Sequence, residues 1–303
     1  MSFQYLHELI ALAESQSMSM AEVMLQVEQE QTSRTKEQIL AQMEKQFDVM
    51  EASARKGVQQ PIRSRSGLSG GDAYLVKEYI QRGESFVAPS TLRAMSYALS
   101  VSEVNAGMGC IVATPTAGAA GILPGVLISV LDSGKYTREK LIMALLTAAA
   151  VGLVIANSAS ISGAAGGCQA EVGSATAMAA AALVEIAGGT PQQAGHAVGL
   201  ALKNSLGLVC DPVGGLVEIP CIIRNGLHSI TALAAADMAL AGVRSVIPPD
   251  EVIQVMREIG QEMPVTLRET GLGGLASTPT GKRLRESVFG KSDEELVGVS
   301  NEI

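Results

Sequence analysis

Residues 155–224 constrain the fold more than any other part of this 303-residue chain, because alanine-rich stretches alternate there with glycine and proline breaks. The segment holds three of the four cysteines, and each stands where a helix is interrupted. Cys168 follows two glycines, Cys210 precedes an Asp-Pro pair, and Cys221 follows a proline. Thiols at such junctions suit a metal site assembled from distant segments, although small, buried, apolar cysteines give the same pattern.

Helix signals recur along the chain. Apolar residues three and four positions apart predict helices within residues 2–50, and capping boxes begin at Ser19 and Thr35. Thr190 precedes a proline at a first helical position, with glutamine at the third. No segment shows the period-two alternation of a strand. The sequence therefore predicts an all-α, mostly helical fold, a large helical domain whose glycine-rich loops carry the functional site.

A polar, glycine-rich run at 56–71 divides the chain. Residues 1–60 are predicted to be amphipathic N-terminal helices that pack on a main helical domain at 61–303. A single continuous domain is the alternative.

Composition excludes several classes of protein. The net charge of −8 and the aromatic content of 3% argue against nucleic-acid binding, which needs a basic face with stacking rings. The longest uncharged apolar run, 141–156, is shorter than the roughly 20 residues of a membrane span, so it predicts a buried core helix and no membrane partner. The start of the chain lacks the basic flank of a signal peptide, and four cysteines do not make a secreted disulfide framework. We therefore expect a cytoplasmic protein.

The metal-site hypothesis leaves the fourth ligand open. His228 would complete a Cys₃His zinc site, but it lies about two helical turns beyond Cys221, which is an awkward reach on one rigid helix. Three thiolates without a dependable fourth partner suit an iron-sulfur cluster with one iron open to substrate. The glycine-rich loop at 107–125, with hydroxyls before a helix, suits a carboxylate or is an ordinary tight turn.

Six segments resemble the bacterial iron-sulfur-dependent L-serine dehydratase family, and most closely the α subunit of its two-subunit form. They are GLSGGDA (67–73), EVNAGMG (103–109), ATPTAGAAGILPG (113–125), SGAAGGCQAEVGSA (162–175), LGLVCDPVGGLVEIPC (206–221) and PVTLRETGLGGLA (264–276). The resemblance implies a 4Fe-4S cluster, not pyridoxal phosphate, held by Cys168, Cys210 and Cys221. It makes 61–303 the cluster-binding, catalytic domain and leaves Cys110 as a core thiol.

The implied reaction removes water from L-serine and gives pyruvate and ammonia. We expect catalytic roles for Thr116, Asn157, Ser160 and Ser162, in the two loops beside the cluster. Thr114, Thr116 and Lys203 are the expected substrate-binding residues. Each of these residues has an ordinary alternative, because hydroxyls also cap helices and a lysine is commonly solvated.

The resemblance also implies a partner. In the family a β subunit, or a further domain, carries a Ser-Ser-His motif that binds substrate and moves protons, and this chain has no such motif. Some single-chain relatives end in a cysteine that closes the fourth iron position, whereas this sequence ends in residues 300–303 without one. Water, substrate or the β subunit would then close it. The alternatives are a related L-cysteine desulfidase, and a structural-zinc or small-solute-binding helical protein.

Overall fold

A computed structural model describes residues 2–290, which contain thirteen α-helices. They are α1 (Leu6–Ser15), α2 (Met20–Thr32), α3 (Lys36–Gln59), α4 (Asp72–Arg82), α5 (Pro89–Ala106), α6 (Ile122–Leu131), α7 (Arg138–Ser158), α8 (Gly163–Gly166), α9 (Ser174–Ile186), α10 (Pro191–Lys203), α11 (Cys221–Leu240), α12 (Pro249–Glu262) and α13 (Pro279–Phe289). Within these residues the one β-type pairing is an isolated parallel bridge between Cys210 and Arg268. The all-α prediction is confirmed.

The helices begin where the capping signals predict. Ser19, Thr35 and Thr190 each accept a hydrogen bond from the backbone N–H three residues later, and the Glu or Gln at that position closes the box in return. Such caps satisfy backbone donors that the helix itself leaves free. The sequence therefore fixes the start of these helices locally, before any packing contributes.

The centre of the molecule is built from small residues. Every residue of α9 from Ser174 to Val184 is buried, and the helix packs against α7, α10 and α11. Where α6 crosses α5, a Cβ added at Gly125 would lie 2.7 Å from the carbonyl oxygen of Ala94, so the two backbones nearly touch. Alanine and glycine in the sequence therefore mark close helix crossings.

Helix α7 contains the apolar run that the sequence assigns to the core. By length and composition alone it is the one helix among the described residues that could span a membrane, with a mean hydropathy of 2.1. In its most apolar 18-residue stretch 67% is buried inside the molecule, where α7 packs against α2 and α9. Most of its apolar surface is therefore covered by protein.

The first three helices share the hydrophobic core of the rest. Phe47 and Met50 of α3 belong to the same buried cluster as α7 and α9. Helix α1 is fastened by Asp250, which accepts hydrogen bonds from the backbone N–H groups of Leu6 (2.8 Å) and His7 (3.0 Å). The division at residue 60 stays a prediction. The charged end of the chain and residues 300–303 lie outside the described residues.

Glu103, at the end of α5, ties two of the motifs named above together. Its Oε1 accepts hydrogen bonds from the backbone N–H groups of Asp72 (2.6 Å) and Ala73 (3.2 Å) at the start of α4. The side chain is 1% exposed, and Oε2 has no hydrogen-bond partner among residues 2–290. Burial outweighs the two donors and raises the pKa of Glu103 to about 7.

This burial predicts a pH dependence of stability. In the unfolded chain Glu103 has its ordinary pKa of 4.5 and releases its proton above that pH, whereas the folded chain keeps the proton up to about pH 7. The stability that depends on Glu103 is thus full below pH 4.5 and is lost as the pH rises through about 7. Glu103→Gln keeps an acceptor and removes the titration. The unfolding free energy of this variant should therefore fall less steeply with pH than that of the wild type, and the two slopes should differ by up to about 1.4 kcal/mol per pH unit.

Urea unfolding at about pH 5, 6 and 7 measures this effect. Glu258→Gln, at an exposed position on α12, is the control and should follow the wild-type profile. Parallel profiles for Glu103→Gln and the wild type would contradict the assignment.

Candidate metal centre

The three cysteines named from the sequence converge on one buried site. Cys168 lies between α8 and the next helical turn, Cys210 lies on the extended segment after α10, and Cys221 is the first residue of α11. The Sγ atoms of Cys168 and Cys210 and a carboxylate oxygen of Glu171 all lie within 4.8 Å of one another. Cys221 is buried beside them, close enough to influence the charge of the other thiols.

The backbone around Cys168 is shaped for this role. Gly167 has a φ of +77°, and a Cβ there would lie 2.7 Å from Sδ of Met263. A π-helical turn, Gln169–Gly173, follows Cys168 directly, and such turns are frequent at functional sites. The buried Gln169 side chain donates to the carbonyl of Met256 and accepts from the N–H of Gly207, both at 2.9 Å. It thereby joins the Cys168 turn to α12 and to the Cys210 segment.

The Cys210 segment is held by the chain after α12. The N–H of Cys210 donates to the carbonyl of Leu267 (2.8 Å), and the N–H of Glu269 donates to the carbonyl of Cys210 (2.7 Å). The next residue, Asp211, accepts from the N–H of Leu275 at 2.8 Å. This explains why the glycine-rich motif at 264–276, far away in sequence, belongs to the site.

Arg224 connects all three cysteine segments. It lies one turn after Cys221 on α11, and its Nη1 donates to Sγ of Cys168 (3.2 Å) and to the carbonyl of Val209 (2.8 Å). Its Nη2 donates to Oδ1 of Asp211 at 2.9 Å. Although burial opposes its charge, the Cys168 thiolate and Asp211 raise the pKa of Arg224. A single partly buried cation therefore stabilises the relative positions of the segments.

The three thiols differ in acidity. A hydrogen bond from Cys210, together with the positive charge of Arg224, lowers the pKa of Cys168. The same hydrogen bond and burial raise the pKa of Cys210 above its usual range. Burial raises the pKa of Cys221 to about 12. Without a metal, one thiolate is therefore favoured, and a metal that binds all three cysteines must displace the remaining protons.

Glu171 is a site residue that the sequence reading missed. It is buried, and burial raises the pKa of its carboxyl. A Cβ at Gly163 would lie 2.8 Å from its Oε2 and 3.1 Å from Sγ of Cys210, and one at Gly118 would lie 3.2 Å from the same oxygen. Its position three residues after Cys168, on a helical turn, was the available signal.

The donor set fits a thiolate-bound metal group. Cys168 and Cys210 lie close together, and Cys221 is buried near them. The lack of a side chain at Gly163 leaves room beside Cys210 and Glu171, and Arg224 supplies positive charge beside the Cys168 sulfur. Thiolates select soft metals and iron-sulfur clusters. Within residues 2–290 His228 is not among the residues whose ligand atoms group with Cys168 and Cys210, and its Nδ1 hydrogen-bonds to the carbonyl of Arg224 at 2.9 Å.

Loop residues predicted from the sequence separate into different environments. Thr116 lies near enough to the Glu171 carboxyl to influence it, and its own buried hydroxyl has no partner of normal hydrogen-bond geometry within residues 2–290. Thr114 borders an apolar cavity of about 400 Å³ that also includes Met178. The Asn225 side chain anchors this turn to α11, since its Oδ1 accepts a hydrogen bond from the backbone N–H of Gly121 at 2.9 Å.

The second predicted loop faces another cavity. Asn157 and Ser160 line a space of about 350 Å³ together with Arg257 of α12. The N–H of Ser162 donates to Oγ of Ser160 at 3.1 Å. Lys203 lies elsewhere, where its Nζ donates to Oγ of Ser245 at 2.8 Å. Thr116 is thus the one predicted substrate residue that these contacts bring to the cysteines.

The expectation that Cys110 is a core thiol is wrong. Cys110 is exposed, because the loop after α5 runs along the surface before it turns inward at Thr114. It is therefore available as a control thiol outside the buried group.

Comparison with known proteins agrees with this geometry. The family model described as "Serine dehydratase alpha chain" matches residues 15–276. The chain is 54% identical over 288 residues to the "Probable L-serine dehydratase, alpha chain" of Bacillus subtilis, with 95% of this chain and 96% of that one covered. It is 44% identical to the "L-serine dehydratase, alpha chain" of Peptoniphilus asaccharolyticus, over 94% of this chain and 98% of that one. The chain belongs to the serine dehydratase alpha chain family.

A longer relative is also similar. The "L-serine dehydratase" of Streptomyces coelicolor is 39% identical over 277 residues, which cover 89% of this chain but 59% of that protein. About two fifths of the longer relative therefore lies outside the match.

The role of Arg224 predicts a large stability effect. Arg224→Gln leaves the buried carboxylate of Asp211 without its cation, which should cost about 3–5 kcal/mol of unfolding free energy. Adding Asp211→Asn should recover more than half of that loss, because no unpaired charge remains. Arg257→Gln, an exposed arginine, should stay within about 0.5 kcal/mol of the wild type. Chemical denaturation of the metal-free chain measures all three, and equal losses in Arg224→Gln and Arg257→Gln would contradict the role.

Proposed function

We propose that this chain is the alpha subunit of an L-serine dehydratase, a lyase that eliminates water from L-serine and yields pyruvate and ammonia. The observation that carries the proposal is that Cys168 and Cys210, from separate segments, lie within one ligand group with Glu171, and that Cys221 from a third segment is buried near them. Membership of the serine dehydratase alpha chain family supports it.

The cofactor in this proposal is a 4Fe-4S cluster, not pyridoxal phosphate. Cys168, Cys210 and Cys221 would hold it, and Arg224 would balance the negative charge of the thiolates. When bound, the cluster supplies a Lewis acid that withdraws charge from the hydroxyl and carboxylate of serine.

The chain's own residues would bind and orient the substrate. The Thr116 hydroxyl is free to donate to a substrate carboxylate, since it has no protein partner of normal geometry within the described chain. Glu171 would border the same space, since its carboxyl lies near Thr116 and close to Sγ of Cys210. Asn157, at the end of α7, and Ser160 and Ser162, in the segment that leads to Cys168, would fix the conformation of that segment. Thr114, which borders the apolar cavity, and Lys203, which donates to Ser245, would stabilise the surrounding fold and would not touch substrate.

Proton transfer would depend on a partner. Elimination requires removal of a weakly acidic Cα proton and departure of a poor leaving group, and a positioned acid-base group typically contributes about 10²–10⁴-fold. We propose that a β subunit supplies this group and that the pair works in the cytoplasm. Two observations support the partner, the "alpha chain" names of the relatives and the extra length of the Streptomyces protein.

The function is tested by cysteine substitution. Cys168→Ser, Cys210→Ser and Cys221→Ser should each lose the cluster and pyruvate formation, because two thiolates do not anchor it. The exposed Cys110→Ser is the matched control and should keep both. The chain is purified anaerobically with its partner, iron and sulfide are quantified, and pyruvate and ammonia are followed with L-serine. A complex that keeps its iron in Cys221→Ser but loses it in Cys110→Ser would refute the ligand set, and sulfide release from L-cysteine alone would refute the substrate.

A pair of threonine variants tests the substrate contact. Thr116→Val removes a donor at nearly constant volume, so kcat/KM for L-serine should fall by roughly 10- to 150-fold, the equivalent of about 1.5–3 kcal/mol for a hydrogen bond to a charged group. Thr114→Val changes the same side chain two residues away, beside the apolar cavity, and should change kcat/KM less than threefold, about 0.6 kcal/mol. Iron content should match the wild type in both. Equal effects of the two variants would remove Thr116 from the substrate site.

A further inference from the structure

Helix α11 carries an apolar stripe on its outer face. The stripe consists of Ile223, Leu227, Ile230, Ala234 and Met238, at spacings of four, three, four and four residues. Side chains at these spacings lie on one side of a helix and cover about 23 Å of its length. Ile223 is 48% exposed, Leu227 54% and Met238 43%, so the stripe faces outward.

This arrangement departs from an ordinary surface helix, which turns polar residues outward. The opposite sides of α11 are already used, since the helix packs against α5, α6, α9 and α10. Gly226, for example, is in close contact with Leu99 of α5. An exposed apolar surface of this extent is typical of an interaction site.

The stripe belongs to the same helix as the metal centre. Cys221 is the first residue of α11, and Arg224 and His228 project from an adjoining side of its first two turns. A protein bound to Ile223 and Leu227 would therefore lie within about two helical turns, roughly 11 Å along the axis, of Cys221. The helix is rigid at this point because Asn225 bonds to the carbonyl of Cys221 at 2.9 Å and to the 117–121 turn.

The relatives indicate what covers such a surface. The match covers 96% and 98% of the two alpha-chain relatives, whereas about two fifths of the Streptomyces protein lies outside the match in the same polypeptide. A unit that is covalently joined in one relative and separate in others needs an interface on the shared part. Spacings of four, three and four residues separate Ile223, Leu227, Ile230 and Ala234, and this pattern is typical of the side of a helix that packs against another helix.

We propose that the α11 stripe is the docking surface for the partner subunit, which packs an apolar helix along it. This inference rests on the proposed function, because it names where the second subunit of that enzyme binds. It places the partner's proton-transfer groups beside the cysteine site, on the side of Arg224 and His228.

The test uses the anaerobically purified chain and the polypeptide from the same source whose sequence matches the unmatched part of the Streptomyces relative. Leu227→Asp should raise the Kd for this partner at least 100-fold, which corresponds to about 2.7 kcal/mol. Leu75→Asp, the same substitution at an exposed position on α4, should change Kd less than threefold. Iron content and unfolding of the isolated chain should be unchanged in both variants, because neither side chain is buried.

Three results would overturn the proposal. They are wild-type affinity in Leu227→Asp, no binding of the partner to the wild-type chain, and a wild-type homodimer that Leu227→Asp dissociates while partner binding persists. In the last case the stripe would join two copies of this chain. Failure of the proposed function is distinguishable, because a complex that forms on the stripe but makes no pyruvate from L-serine would refute the activity and leave the docking surface intact.

Discussion

The site depends on one partly buried guanidinium. Arg224 reaches Cys168, the carbonyl beside Cys210 and Asp211, and it is covalently part of the helix that begins with Cys221. Three segments separated by tens of residues are thus held by one planar group whose donors point in fixed directions. A lysine could not make these contacts together, since it offers a single point of charge. The arginine also offsets the burial of negative charge, because the Cys168 sulfur and the Asp211 carboxylate both accept hydrogen bonds from it.

Small residues make this arrangement possible. At Gly125 the backbones of α5 and α6 lie so close together that a Cβ would not fit between them. Helix α9 is buried from Ser174 to Val184 because its alanines leave room for neighbouring helices on every side. Close crossings fix the helix ends within a narrow range, and the cysteine segments extend from those ends. Glycine at 163 and 167 then brings the chain against Glu171 and Met263, where any side chain would collide. The high alanine and glycine content thus explains both the close packing of the helices and the space left at the site.

Much of this could be predicted from local sequence. Capping boxes at Ser19, Thr35 and Thr190 fix helix starts through contacts three residues apart, so they are readable without tertiary information. The positions of the cysteines at helix breaks were compatible with a metal site, and the family resemblance then implied which three would hold the cluster. The role of Arg224 could not be predicted, because it arises from contacts between segments that spacing does not reveal. Glu171 carried a local signal, its position three residues after Cys168. Thr114 and Thr116 show the limit of such signals, since Thr114 borders the apolar cavity while Thr116, two residues later in the same turn, lies beside Glu171.

The positions of the histidines give a physical reason for dividing the proposed enzyme into two units. His7 pairs with Asp250 at the outer end of α1, His196 borders a cavity with Arg244, and His228 has its Nδ1 bonded to a backbone carbonyl. None of the three is among the candidate ligands of the cysteine group within residues 2–290. Such a group must be packed and rigid to hold a cluster, whereas an acid-base residue must reach the substrate and exchange its proton with solvent. In the proposed enzyme a rigid alpha chain meets the first requirement, and a partner bound along α11 meets the second from the surface.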